Sequence, residues 1–248
     1  MNRKLLKEHA LKVMKESPVE MLGVALILGF VGGDFQPVVN IFERLVFFIR
    51  SNRLDLGIIS VIQRAINHDY PVFGIILGVM LLVGTIVFNI FVVNNLRIGS
   101  KSFYLKSVRG EGVVFDRLFK NFRDGTWRTQ GPKLFRVDIE IFFFTLLLIV
   151  PGIIKAYQYY WVPYLLAEDP SLSAEEALRM SKSMTENKKL DIFITEVSFF
   201  GWYLLAGFLF SIITVPIVDT YRECTLATYY GMIGRENTAN RYSNVEPI

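Results

Sequence analysis

The sequence predicts an all-α protein, a polytopic transmembrane helical bundle of about six spans, with five as the alternative. Two long apolar stretches carry this prediction. One runs from Ile141 through Pro151 and Gly152, and the other runs from Val197 to Val218. A helix needs roughly 20 apolar residues to cross a bilayer. The whole chain is 52% hydrophobic with a mean hydropathy of +0.38, which is more apolar than a typical soluble domain.

The charged and chemically reactive residues exclude several classes of protein. The net charge is +4, and the basic residues flank apolar runs, as the positive-inside rule expects, so we predict no nucleic-acid partner. Cys224 is the one cysteine, so no internal disulfide forms, and His9 and His68 are the two histidines. We therefore expect no metal site and no cofactor. No phosphate-binding loop, zincin motif or nucleophile elbow is present, and no catalytic residue is assigned.

The first third of the chain predicts one span between amphipathic segments. Residues 1–18 form a basic amphipathic helix that we expect on anionic headgroups, with a cytoplasmic N-terminus. The first span runs from Val19 to about Gly33 and is not cleaved. Segment 34–69 balances acids and bases and is predicted as two amphipathic helices, packed on the bundle or lying in the interface.

The middle of the chain contains the longest uncharged segment. Tyr70 to Val93 carries no charge and predicts a span. Gly74 and Gly78 within it allow close helix packing, either inside the chain or between two copies. Segment 97–136 contains ten Lys/Arg and three acids, so it is expected to be cytoplasmic and to lie on the membrane surface.

The second half predicts a hairpin, a connector and two further spans. Arg136 to Ala167 is too long for one crossing. Pro151 and Gly152 are therefore predicted as a hinge that returns the chain, which gives a hairpin of two short spans. The alternative is one span that ends near Lys155, with Tyr157 to Leu166 along the outer surface. An amphipathic connector follows over 168–189, with a capping box at Ser173 and Glu176. Asp191 to Ile213 and Pro216 to Ile233 are the last spans, and 235–248 is a polar tail. We treat 1–248 as a single membrane domain.

One polar group is the candidate site. Asp219, Arg222 and Glu223 lie at i, i+3 and i+4 on one helix face, and Glu196 in the preceding span is a partner for Arg222. Charges inside a bilayer usually face the bundle interior. Two interpretations stay open, an ion or proton step and an internal salt bridge. Gly201 is predicted to pack against another helix.

The second half resembles a known family. The pattern comprises Ile149 to Tyr157, then Pro163 to Pro170, then Ser181 to Met184, then Val197 to Trp202. In this order and spacing it resembles the bacterial integral membrane family named domain of unknown function 975, over roughly residues 1–235. The resemblance implies a multi-pass membrane protein with no established activity. Two positions depart from the family pattern: Thr220 stands where Pro is usual, and Asn187 where Gly is expected.

These observations predict a non-enzymatic protein of the bacterial plasma membrane. We expect an accessory or scaffold subunit of a membrane machine such as an export or envelope-stress system. The alternative is a small transporter or channel that uses the polar face of the last helix. The lipid bilayer is the expected partner, together with another membrane protein or a second copy in a homo-oligomer.

Overall fold

A computed structural model describes residues 3–31, 71–208 and 211–243. In those ranges the chain is helical and contains no β-strand, which confirms the all-α prediction. The predicted amphipathic segment 34–69 lies outside the described residues. The helices are α1 (Arg3–Glu16), α2 (Pro18–Val31), α3 (Pro71–Phe88), α4 (Asn94–Val108), α5 (Lys120–Arg123), α6 (Trp127–Leu147), α7 (Ile149–Gln158), α8 (Val162–Glu168), α9 (Ala174–Thr185), α10 (Lys189–Val197), α11 (Phe200–Phe208) and α12 (Ser211–Ser243).

The centre of the fold is a polar helix. A π-helical turn, Asn89–Val93, joins α3 to α4, and every α4 residue except Lys106 is buried. Helices α6, α8 and α12 and the 3₁₀ turn Phe115–Phe119 pack around α4. An added Cβ at Gly99 would lie 2.0 Å from the Leu118 carbonyl oxygen, so the chain approaches α4 closely there. The expectation that segment 97–136 lies on a membrane surface is therefore wrong for its first part, because its charges find partners inside the protein.

The N-terminal helix packs on the C-terminal helix. Leu6, Ala10 and Val13 of α1 are buried in the main core with Leu226 and Tyr230 of α12. The predicted apolar face of α1 therefore contacts protein, and this corrects the expectation that it lies on lipid headgroups. Leu5 remains 61% exposed on the other side.

The chain reverses direction between α6 and α7, as the hairpin interpretation predicted. The break falls at Leu148, which is extended (φ −156°, ψ 132°). Pro151 and Gly152 lie inside the first turn of α7, so the reversal comes three residues earlier than the predicted hinge. Gly152 has another role: an added Cβ would lie 2.5 Å from the Cα of Thr145, so the two helices touch at this position.

One helix among the described residues is long and apolar enough to cross a membrane. It is Ile75–Val108, whose best window has a mean hydropathy of 2.7 and no buried residue. The predicted span Asp191 to Ile213 is divided between α10 and α11, with Ser198 and Phe199 between the two helices. Helix α12 continues through Ser243, into the segment predicted as a polar tail. The count of about six spans therefore stays a prediction.

Candidate functional site: a buried charged cluster

Five charged side chains lie on α4, α10 and α12, and three of them, Lys101, Arg222 and Glu223, are in direct contact. We call this set the charged cluster; it comprises Lys101, Glu196, Asp219, Arg222 and Glu223. Helical spacing places three of them on one face of α12, and Glu196 comes from α10. Arg222 and Glu223 are each 1% exposed. Such groups rarely lie inside a protein unless they are paired.

Glu223 is the most heavily bonded member of the charged cluster. Lys101 Nζ donates to its Oε2 at 2.7 Å, and the Arg222 guanidinium donates to its Oε1. The hydroxyl of Tyr164 lies 3.4 Å from Oε2. Both carboxylate oxygens of Glu223 therefore face donors, and two of these donors are cations.

Tyrosines hold the other two carboxylates. The hydroxyls of Tyr157 and Tyr160 donate to the two oxygens of Glu196, each at 2.7 Å. The two tyrosine rings are stacked, with centroids 6.1 Å apart. The hydroxyl of Tyr203 on α11 donates to Oδ1 of Asp219. Tyr157 of α7, Tyr160 in the turn after α7 and Tyr203 of α11 thus supply neutral donors to acids on α10 and α12.

The pairing of charges defines what this arrangement can do. Glu223 is paired with two cations, Lys101 and Arg222. Nε of Arg222 is buried without a hydrogen-bond partner among the described residues. Removing charges from water is costly, and internal pairing compensates that cost only when the geometry is good. The cluster can therefore fix the packing of α4 against α12.

Two further polar contacts lie on α6. Arg97 Nη1 donates to Asp138 Oδ2 at 2.9 Å and to the side-chain oxygen of Asn94 at 3.1 Å. Glu140 accepts from the Tyr159 hydroxyl at 2.6 Å and lies 3.4 Å from Lys155 Nζ. These contacts tie α6 to α4 and α7.

Of the four charged residues predicted from the sequence, Arg222 contacts Glu223 directly, whereas Glu196 and Asp219 accept hydrogen bonds from tyrosines. The pairing of Glu196 with Arg222 stays a prediction. Lys101 was missed, because the basic composition of its segment indicated a surface position. Tyr157 also belongs to this site, because it is buried and its hydroxyl donates to Glu196. A polar residue at every third or fourth position of α4 was the available sign that this helix has an interior polar face.

The predicted packing glycines give a mixed result. Gly201 is exposed, and an added Cβ would meet no atom within 4 Å, so its predicted helix contact is not found within the described chain. Gly74 and Gly78 lie in α3, and their packing role stays a prediction. Close contacts occur instead at Gly99, Gly131 and Gly152.

One thiol follows the charged cluster on α12. Cys224 is a buried free thiol whose Sγ lies 3.7 Å from Met21 Sδ. No group of three or more His, Cys, Asp or Glu side chains there is arranged to hold a metal ion. The structure thus defines a class: a helical protein with a charged interior and one long, exposed apolar helix.

The chain belongs to the family described as protein of unknown function (DUF975), whose match covers residues 72–237. The resemblance predicted a start near residue 1, and the match begins at α3. No curated protein and no solved structure matched the chain. The family's expected Gly coincides with Asn187, which has φ 58°, a value that Gly and Asn adopt most readily.

Proposed function

We propose that this protein is a non-enzymatic integral membrane protein of the bacterial plasma membrane, acting as an accessory or scaffold subunit of a larger membrane assembly. One observation carries the membrane placement. Side chains from Ile75 to Phe88 of α3 are mostly exposed and apolar, as at Met80 (67% exposed) and Leu82 (61% exposed). Water disfavours such a surface, while lipid or another apolar helix accommodates it.

The distribution of the charges supports a scaffold role. In the interior, Glu223 forms ion pairs with Lys101 and Arg222. This pairing favours a role in holding helices together over chemistry on a substrate. We place the N-terminus and segment 97–136 on the cytoplasmic side, because basic residues are concentrated there. The exposed apolar helices are the surfaces on which a partner subunit or a second copy would pack.

The test is affinity capture of the tagged protein from its native membrane in mild detergent, followed by mass spectrometry. We expect a membrane protein in stoichiometric yield. The matched control is Val83→Lys, which places a charge in the middle of α3 and should abolish membrane retention. Recovery of wild type in the soluble fraction would overturn the membrane placement. Clean monomer from the membrane would overturn the scaffold role.

A second function, a small transporter or channel, rests on the polar face of α12, where Asp219 lies beside the buried Arg222 and Glu223. Ionisable residues inside a membrane protein usually face the bundle interior and often mark an ion or proton pathway. If this function holds, Asp219→Asn changes ion or proton flux in proteoliposomes while the protein stays folded. Asp169→Asn, in an exposed loop, is the control and should leave flux unchanged. Wild-type flux in Asp219→Asn, or no flux in wild type, would contradict transport through this site.

A further inference from the structure

The α6–α7 hairpin ends in an exposed apolar tip. No charged residue occurs from Ile141 to Ile154. The side chains around the reversal are among the most exposed apolar groups in the described chain: Leu146 at 71%, Leu147 at 76% and Val150 at 67%. The two arms are held together behind the tip by the close contact of Gly152 with Thr145. The tip is therefore formed by two packed helices, and no other helix of the described residues covers it.

Paired charges mark where this apolar projection begins. Glu140 on the outgoing arm accepts a hydrogen bond from Tyr159 and lies 3.4 Å from Lys155 on the returning arm. The Lys155 ammonium also lies 4.6 Å from the centre of the Phe144 ring. A lysine with a tyrosine at the end of an apolar segment is typical of a boundary between hydrocarbon and headgroups. Both arms therefore reach the boundary between hydrocarbon and headgroups at the level of these paired side chains.

The length of the arms decides how far the projection reaches. From Glu140 to Leu148 the helix rises about 12 Å, at ~1.5 Å per residue. The hydrocarbon layer is about 30 Å thick, so one leaflet contributes about 15 Å. The returning helix α7 has 10 residues, about half of what a crossing needs. The hairpin thus matches one leaflet in depth and is too short to span two.

We propose that the α6–α7 hairpin enters the hydrocarbon of one leaflet and returns to the same face of the membrane without crossing it. This inference rests on the proposed membrane location. In this position, lipid acyl chains surround the exposed tip. Backbone groups at the reversal need internal partners in hydrocarbon. At the break, Leu148 N–H donates to the Phe144 carbonyl at 3.1 Å and Gly152 N–H donates to the Leu148 carbonyl at 3.2 Å, so Leu148 is bonded to both arms.

Single-cysteine probes test this placement in proteoliposomes of phosphatidylethanolamine and phosphatidylglycerol. In a Cys224→Ala background, Leu147→Cys carries a bimane at the tip, and Val83→Cys carries one in the middle of α3. Lipids with a nitroxide near the bilayer centre should quench both fluorophores. A membrane-impermeant thiol reagent should label Leu147→Cys from neither side, and should label Arg136→Cys and Asp169→Cys from one and the same side.

The outcomes separate this inference from the proposed function. If Val83→Cys is quenched but Leu147→Cys is labelled from the opposite side to Arg136→Cys, the hairpin crosses the membrane and the inference fails. Opposite sides for Arg136→Cys and Asp169→Cys would show a single crossing and have the same consequence. Quenching at Val83→Cys alone, without labelling at Leu147→Cys, would show that protein covers the tip. If neither position is quenched, the membrane placement itself fails.

Discussion

Asn187 lies in the turn between α9 and α10 with a left-handed backbone (φ 58°). This conformation costs an ordinary L-residue about 1–2 kcal/mol, and Gly avoids that cost. We expect Asn187→Ala to destabilise the protein by about 1 kcal/mol and Asn187→Gly to be at least as stable as wild type. Thermal unfolding in detergent measures both. Glu186→Ala, next to it with an ordinary φ of −59°, is the control. Equal melting temperatures for Asn187→Ala and Asn187→Gly would contradict the backbone argument.

Lys101 and Glu223 should respond unequally to neutralisation. Lys101→Met leaves Glu223 paired with Arg222, whereas Glu223→Gln removes the carboxylate that both Lys101 and Arg222 contact. Leaving a buried charge without its partner costs about 3–5 kcal/mol. We therefore expect Glu223→Gln to lower stability by about that amount and Lys101→Met by clearly less.

Chemical denaturation of the purified variants checks this order. Lys182→Met, at an exposed site on α9, is the control for loss of a lysine. The double variant Lys101→Met/Glu223→Gln should be more stable than Glu223→Gln alone, because the two sites are coupled and the lysine left without its carboxylate is removed. A result in which Lys101→Met is the more damaging single change would show that the ion pairs of Glu223 do not govern the cluster.

At the scale of elements, the contact between α6 and α7 depends on Gly152. A methyl group there would lie 2.3 Å from Thr145 Oγ1 and 2.5 Å from its Cα, so the arms must separate. We expect Gly152→Ala to destabilise by about 1–3 kcal/mol, as overpacking does. Gly201→Ala is the matched control, since an added Cβ meets open space there and Ala favours the helix. The melting temperatures of both variants test this prediction. Equal changes in melting temperature for Gly152→Ala and Gly201→Ala would contradict the packing argument.

The start of α9 should be sensitive to acid. The hydroxyl and backbone N–H of Ser173 donate to Glu176, and these hydrogen bonds lower the pKa of the Glu176 carboxyl. A depressed pKa in the folded state stabilises the protein above the unfolded pKa of about 4.3. That stabilisation is lost as pH falls through the folded value. Glu176→Gln should therefore reduce stability at neutral pH and flatten its loss on acidification.

Hydrogen exchange of the α9 amides between neutral and acidic pH measures this effect. Glu175→Gln, on the neighbouring residue outside the capping box, is the control. An acid response of the α9 amides that is the same in Glu176→Gln and in wild type would show that another group controls the start of this helix.

Local sequence patterns predicted α9 well because its signals lie within a few residues of one another. The capping box of Ser173 with Glu176 is confirmed. Helix α4 was misjudged for the opposite reason. The charges of this helix indicated a surface segment. Its charged side chains can be buried because they pair with the distant residues Asp138 and Glu223.

The charged cluster was predictable only on one helix. The i, i+3 and i+4 spacing on α12 placed Asp219 beside Arg222 and Glu223 without knowledge of the fold. Lys101 reaches Glu223 over 122 residues of sequence, and no spacing rule connects positions so far apart. Pairing of this kind follows from helix packing, which the sequence encodes only through the whole core.

At the scale of the whole molecule, the two ends of the chain are packed together. Ala10 of α1 is 0% exposed and belongs to the same core as Ala227 and Tyr230 of α12. We expect Ala10→Leu to destabilise the protein by about 1–3 kcal/mol, because no space remains for extra methyl groups. Leu5→Ala, at a site 61% exposed, should change stability little. Unfolding in detergent and binding to anionic vesicles are measured together. If α1 instead lay on headgroups, Ala10→Leu would strengthen vesicle binding without loss of stability, and Leu5→Ala would weaken it.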